Sequence, residues 1–205
     1  MVRLRLSCAS SELLPPPVLL PQQTIKIACI GLPGSGKSTV GRQLARRLGL
    51  RFTDSDQVIE QRIGCSIRQF FEREGEPAFR DIEQQIIDEL TLGETGVLST
   101  GGGAVLRSAN RQVLHARTKV VYLHSIPEEV FRRLRYDRNR PLLQVADPLT
   151  RLRDLYAVRD PLYRESAHFV IETGRPSVST LVQTILTQMN LVDAPQSTAG
   201  NSSVS

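Results

Sequence analysis

The stretch Ile25-Lys-Ile-Ala-Cys-Ile30-Gly31-Leu-Pro-Gly34-Ser35-Gly36-Lys37-Ser38-Thr39 decides how this chain folds. Its first six residues are almost wholly apolar, the pattern of a central parallel strand buried on both faces. Residues 31–38 then match G-x-x-x-x-G-K-[ST]. Behind them Val40, Leu44 and Leu48 recur four apart, on one face of a helix expected over about 37–48. A glycine loop between strand and helix makes a phosphate cradle. Gly34, Ser35 and Gly36 turn backbone N–H groups inward, and the first helical turn adds unsatisfied donors and the positive end of its dipole. In such a loop Lys37 reaches the β- and γ-phosphates, the Ser38 hydroxyl ligates Mg²⁺, and Thr39 can bond the α-phosphate. A glycine turn with a chance lysine is the bland alternative, and the register of strand, loop and helix argues against it.

Outward from the loop, strand and helix patterns alternate. Strands are expected over 51–53, 96–100, 119–123 and 168–172, and helices over 66–74, 77–92 and 177–189, with Pro77 suited to a first turn. Alternation of this kind predicts an α/β fold, a five-stranded parallel sheet flanked by helices. The length, 205 residues against ~150 per domain, points to one domain with appendages. Residues 1–23 and 192–205 are expected to be disordered extensions around a domain over 24–191. Pro15, Pro16 and Pro17 interrupt the apolar stretch that a secretory signal would need. A cytoplasmic location follows, with an organellar transit peptide in residues 1–23 as the weaker alternative.

The net charge is +5, and 23 of the 26 basic residues are arginine, whose planar fork grips carboxylates and phosphates. Aromatics make up 5% and tryptophan is absent, so little is available for base stacking, and anionic small molecules are favoured over nucleic acid as partners. Cys8, Cys29 and Cys65 are odd in number and widely spaced, which excludes a disulfide framework or a cysteine-rich zinc site. His115, His124 and His168 have no ligand spacing and read as structural.

Three further segments follow the loop in order: Asp54-Ser55-Asp56 at the end of the second strand, Phe79-Arg80 within a helix, and Thr100-Gly101-Gly102-Gly103 after the third strand. Arg140-Pro141-Leu142-Leu143 and Arg159-Asp160-Pro161-Leu162-Tyr163 come later. In order and spacing the chain resembles the shikimate kinases over about 25–191. The resemblance implies a nucleoside-monophosphate-kinase-like fold with a substrate-binding region over about 55–92 and a lid over about 135–150. It also implies transfer of the ATP γ-phosphate to the 3-hydroxyl of shikimate, on the route to chorismate and aromatic amino acids, by a monomer.

By that resemblance Arg80 and Arg159 clamp the shikimate carboxylate, and Asp56 orients and deprotonates the attacking hydroxyl. Gly101, Gly102 and Gly103 admit the ring, Asp54 holds Mg²⁺ through water, and Ser99 lies near the metal. Arg140 closes over the γ-phosphate, and Arg133 stacks on adenine. Bland readings stand beside these. Asp54 or Asp56 alone is a typical helix cap. Arg80, with Asp81 and Glu83 nearby, would otherwise be a solvated ion pair. Arg132, Arg135 and Arg138 read as a solvated face. Two rivals remain, a gluconate-type kinase and a nucleotide-binding module without turnover. The combined segments oppose the first; the intact Lys37, Asp56, Arg80, Arg140 and Arg159 oppose the second.

Overall fold

A computed structural model describes residues 25–135 and 147–190. Arg140, Arg138, both expected extensions and most of the expected lid lie outside the described residues. Five strands, β1 (Lys26–Ile30), β2 (Arg51–Asp54), β3 (Gly96–Ser99), β4 (Lys119–His124) and β5 (Phe169–Glu172), form one sheet in the order β2-β3-β1-β4-β5, with every pair parallel. Each matches its expected span to within one residue.

Both faces of the sheet are covered, as the unbroken apolar runs predict. Ala28 and Ile30 of β1 point with Val120 and Tyr122 of β4 into one layer. There they meet Ile87 of α3 (Ile67–Leu92), Leu114 of α4 (Ser108–Arg117), Val130 of α5 (Pro127–Leu134) and Leu152 of α6 (Pro148–Ser166). Ile27, Cys29, Val121 and Leu123 alternate with them. They pack on Val40 and Leu44 of α1 (Lys37–Leu48) and on Leu181, Val182 and Ile185 of α7 (Val178–Gln188). A smaller cluster of Ile59, Phe70, Phe79 and Ile86 joins α2 (Ser55–Ile63) to α3.

The two helical patches expected over 66–92 are halves of α3. Ser66 caps it with a box completed by Gln69, and Gly75, at φ +81°, breaks the helix just before Pro77. Residues 147–150, at the end of the expected lid, open α6, where Asp147 accepts from the Thr150 backbone N–H (3.0 Å). Among the described residues no helix is long and apolar enough to cross a membrane.

The chain leaves β1 toward β2 on one side and leaves β3 toward β4 on the other. Connections therefore diverge at the carboxyl ends of the neighbouring strands β1 and β3. That divergence opens a crevice where α/β sheets hold ligands.

Candidate active site

Because all strands run the same way, their carboxyl ends share one rim, and segments distant in sequence meet there. β1 delivers the glycine loop, β2 delivers Asp54 to Asp56, and β3 delivers Thr100 to Gly103. A cleft of about 290 Å³ lies between them, with Gly36, Lys37, Ser38, Thr39, Asp54 and Asp56 in its wall.

The loop is shaped by its own bonds. The Ser35 N–H donates to the Leu32 carbonyl (3.1 Å), and Lys37 Nζ donates back to the Gly31 and Leu32 carbonyls (2.9 Å each). Gly36, at φ +95°, starts α1 in a conformation that a side chain would strain. Leu134, at the end of α5, packs so tightly over Gly34 that a Cβ there would come within 2.5 Å of it.

Ser38 Oγ donates to Asp54 Oδ2 (2.7 Å) and lies 3.3 Å from Ser99 Oγ. Three hard oxygens thus converge beside the loop, a donor set that suits Mg²⁺, which takes few protein ligands and completes its shell with water and phosphate. Among the described residues no three His, Cys, Asp or Glu side chains group as a metal cage. The other oxygen of Asp54 accepts the Asp56 N–H (3.1 Å), so Asp54 caps α2. Burial, then the charge of Asp54, pushes the Asp56 carboxyl up to about 6 against the pull of Lys37.

Each of the three glycines is approached by a different part of the site. A Cβ would stand 2.6 Å from Asp56 Oδ1 at Gly101, 2.7 Å from Pro33 Cδ at Gly102 and 2.5 Å from the Arg80 guanidinium at Gly103. None has positive φ, so the demand is for space. Arg159, on α6, donates from Nη1 to the Gly102 carbonyl (3.2 Å), as does the Tyr163 hydroxyl.

Arg80 is no solvated pair. Its side chain is 12% exposed, its Nη1 donates to the buried Glu83 (2.6 Å), and its Nη2 donates to Glu76 at the rim (2.7 Å). Asp81 turns away to Arg107 (2.6 Å). Burial pushes the Glu83 carboxyl up, while Arg80 and Arg159 pull it down. Two guanidiniums therefore act on one interior carboxylate, Glu83, and Arg80 has a second partner in Glu76 at the rim.

Lys37, Ser38, Thr39, Asp54, Asp56, Arg80, Gly101, Gly102, Gly103 and Arg159 thus meet around one crevice. Arg133 stands on its flank, bonded to the Thr173 and Gly174 carbonyls after β5, while the next residue, Leu134, covers the loop. Arg132 and Arg135 are exposed. Three contributors carry no role in the sequence reading: Glu83, Tyr163, and Ser55, whose hydroxyl accepts the Gly101 N–H (3.1 Å). The acid at i+3 from Arg80 is the one signal that pointed to Glu83.

A family model described as shikimate kinase matches residues 33–190. The shikimate kinase of Paracidovorax citrulli is 62% identical over 170 residues, covering 82% of this chain and 93% of that protein. That of Burkholderia thailandensis is 56% identical over 167 residues, covering 82% and 91%. Among solved structures, a shikimate kinase from Acinetobacter baumannii in complex with shikimate superimposes with a TM-score of 0.79 at 45% identity, covering 84% of this chain and 97% of that one. With that match over most of its length, this chain belongs to the shikimate kinase family.

Proposed function

We propose that this chain moves the γ-phosphoryl group of ATP to the 3-hydroxyl of shikimate, in aromatic amino acid biosynthesis, with the residues above in the following roles. The observation that carries the assignment is the pair of guanidiniums, Arg80 and Arg159, set against Gly102 and Gly103 with Asp56 between them and the phosphate loop. Two guanidinium forks beside three glycines suit an anionic ring, and a carboxylate is the anion that such a fork fits best.

Shikimate binds with its carboxylate on Arg80 and Arg159 and its hydroxyls toward Asp56. Asp56 orients the 3-hydroxyl and accepts its proton as the new O–P bond forms and the bond to the ADP oxygen breaks. Gly34, Ser35, Gly36, Lys37 and Thr39 hold the ATP phosphates. Ser38 and, through water, Asp54 would hold Mg²⁺, which would supply positive charge to the phosphate oxygens. On sequence grounds Arg140 completes the γ-phosphate site and Arg133 the adenine site. A monomer in the bacterial cytoplasm belongs to the same reading.

ADP release from Mg·ATP with shikimate, with gluconate and with no acceptor tests the assignment. Release that depends on shikimate alone is expected. Equal release with gluconate, or ATP binding without acceptor-dependent release, would overturn it.

Arg159→Ala should raise KM for shikimate by about 10²-fold, since a charge-assisted clamp is lost, and move KM for ATP by less than about threefold. Gly103→Ala is the subtler probe. Its Cβ must displace a guanidinium pinned by Glu83 and Glu76, so KM for shikimate should rise by about tenfold with little change in Tm. Unchanged shikimate kinetics in Gly103→Ala would argue that Arg80 does not touch the acceptor.

A further inference from the structure

Beyond the residues that meet the ligands, the polar side chains between β4 and α6 form a connected group with no role so far. Asp160 follows Arg159 directly and is mostly buried, its side chain 15% exposed. Successive helical residues point about 100° apart, so while Arg159 reaches the glycine loop, Asp160 turns to the sheet. Its Oδ1 accepts the Tyr122 hydroxyl from β4 (2.8 Å), its Oδ2 accepts Arg164 Nε (2.8 Å), and His124 Nε2 stands 3.8 Å away. His124 is itself fixed, by Glu172 at Nδ1 (2.6 Å) and by the Tyr156 hydroxyl at Nε2 (2.9 Å).

The contacts close into a ring. The fully buried Tyr122 stacks on the equally buried Tyr163, with centroids 4.9 Å apart. Tyr163 donates its hydroxyl to the Gly102 carbonyl, the acceptor that Arg159 also reaches. From Arg159 the path runs through Gly102, Tyr163, Tyr122 and Asp160 back to Arg159. Burial and the adjoining Asp160 hold the Tyr122 phenol protonated, hence a donor, far above its ordinary range.

This ring lies where α6 is weakest. Pro161 is inside the helix and has no N–H to offer the carbonyl four residues back, so one bond of the turn that carries Arg159 is absent. A helix with a missing rung needs an outside tether if one of its side chains is to be held to within an ångström. Asp160 supplies a tether to the rigid central sheet, and Tyr163 supplies another to the glycine loop.

We infer that Asp160, through its bond to Tyr122, is a positioning residue that fixes the Arg159 guanidinium for the acceptor's carboxylate. It touches neither substrate, and it acts through α6. The inference rests on the role given above to Arg159.

The test is a set of variants assayed for both substrates: Asp160→Ala, Asp160→Asn, Tyr122→Phe, and Asp160→Ala combined with Arg159→Ala. Asp160→Ala should raise KM for shikimate by about tenfold, with KM for ATP within about twofold of wild type. Tyr122→Phe keeps the ring stack, removes only the hydroxyl and leaves no buried donor unpaired. It should raise KM for shikimate in the same sense, and it keeps the test decisive should Asp160→Ala fold poorly. Asp160→Asn retains an acceptor for Tyr122 and should stay within about threefold of wild type. In the Arg159→Ala background, Asp160→Ala should add less than about twofold, because the group it positions is gone.

Equal rises in both KM values, a full tenfold effect persisting without Arg159, or wild-type shikimate kinetics in both Asp160→Ala and Tyr122→Phe would each overturn the inference. Its failure is distinguishable from failure of the proposed function. In the first case the wild type turns over shikimate and Arg159→Ala still raises KM; in the second there is no shikimate-dependent ADP release at all.

Discussion

Lys37→Ala is expected to cut kcat by at least about 10³-fold while leaving the protein folded, the scale on which cationic groups at a transferring phosphoryl contribute. Lys37 is 8% exposed and stands in the first turn of α1, where the helix dipole is positive and acidic side chains are the usual choice. That turn contains no acidic residue. A buried cation at the start of a helix, against the phosphate loop, is well placed for an anion that binds beside it. Removing it should change Tm of the ligand-free protein by no more than a few degrees. It should also abolish most of the Tm rise that Mg·ATP produces in the wild type, since a ligand stabilises only as far as it binds. Circular dichroism, a thermal melt with and without Mg·ATP, and steady-state ADP release check the three parts. A variant with kcat within tenfold of wild type would remove Lys37 from the reaction.

The parts of this site that were legible in the sequence share a physical property: their chemistry is local. A strand, a glycine loop and a lysine at a helix start carry their meaning within fifteen residues, because the backbone N–H groups that bind phosphate belong to the loop itself. The halves of α3 were legible for the same reason, since Gly75 and Pro77 break a helix wherever they occur. Glu83 was not. Three acids, Glu76, Asp81 and Glu83, surround Arg80 in sequence, and only the packing of α3 sends the last inward, the second to Arg107 and the first to the rim. Helices α2, α4, α5 and α6 were equally silent, with few apolar residues in α4 and an internal proline in α6. Tyr163 looked like one more aromatic, yet its hydroxyl ends on the carbonyl of a glycine 61 residues away. The glycine run shows both sides. Three glycines in a row announced a need for space, but that each makes room for a different partner, Asp56, Pro33 and Arg80, became visible only in three dimensions.

Asp56→Asn should lower kcat by about 10²- to 10⁴-fold, the usual span for removing a general base, and it should also erase a pH dependence. With the Asp56 carboxyl raised to about 6, the free wild-type enzyme carries it protonated at pH 5 and ionised at pH 8. Only the ionised form can accept the hydroxyl proton, so wild-type kcat/KM for shikimate should climb with pH, bend near 6 and level off above it. Asp54→Asn removes the second largest cause of the rise and should move that bend to lower pH. The stability effect has the opposite sign. The fold favours the protonated carboxyl, so this group's contribution is complete below its ordinary value of 3.8 and is lost as pH rises through about 6. At pH 8 the ligand-free wild type therefore holds a buried charge that its fold resists. Asp56→Asn, carrying none, should melt about 2–6 °C higher there, with the difference shrinking toward pH 4. Lost turnover together with gained stability at pH 8 is what a side chain retained for catalysis predicts. An Asp56→Asn protein that melts lower than wild type at pH 8, or one that retains the acid limb, would show that Asp56 serves the fold and that another group takes the proton.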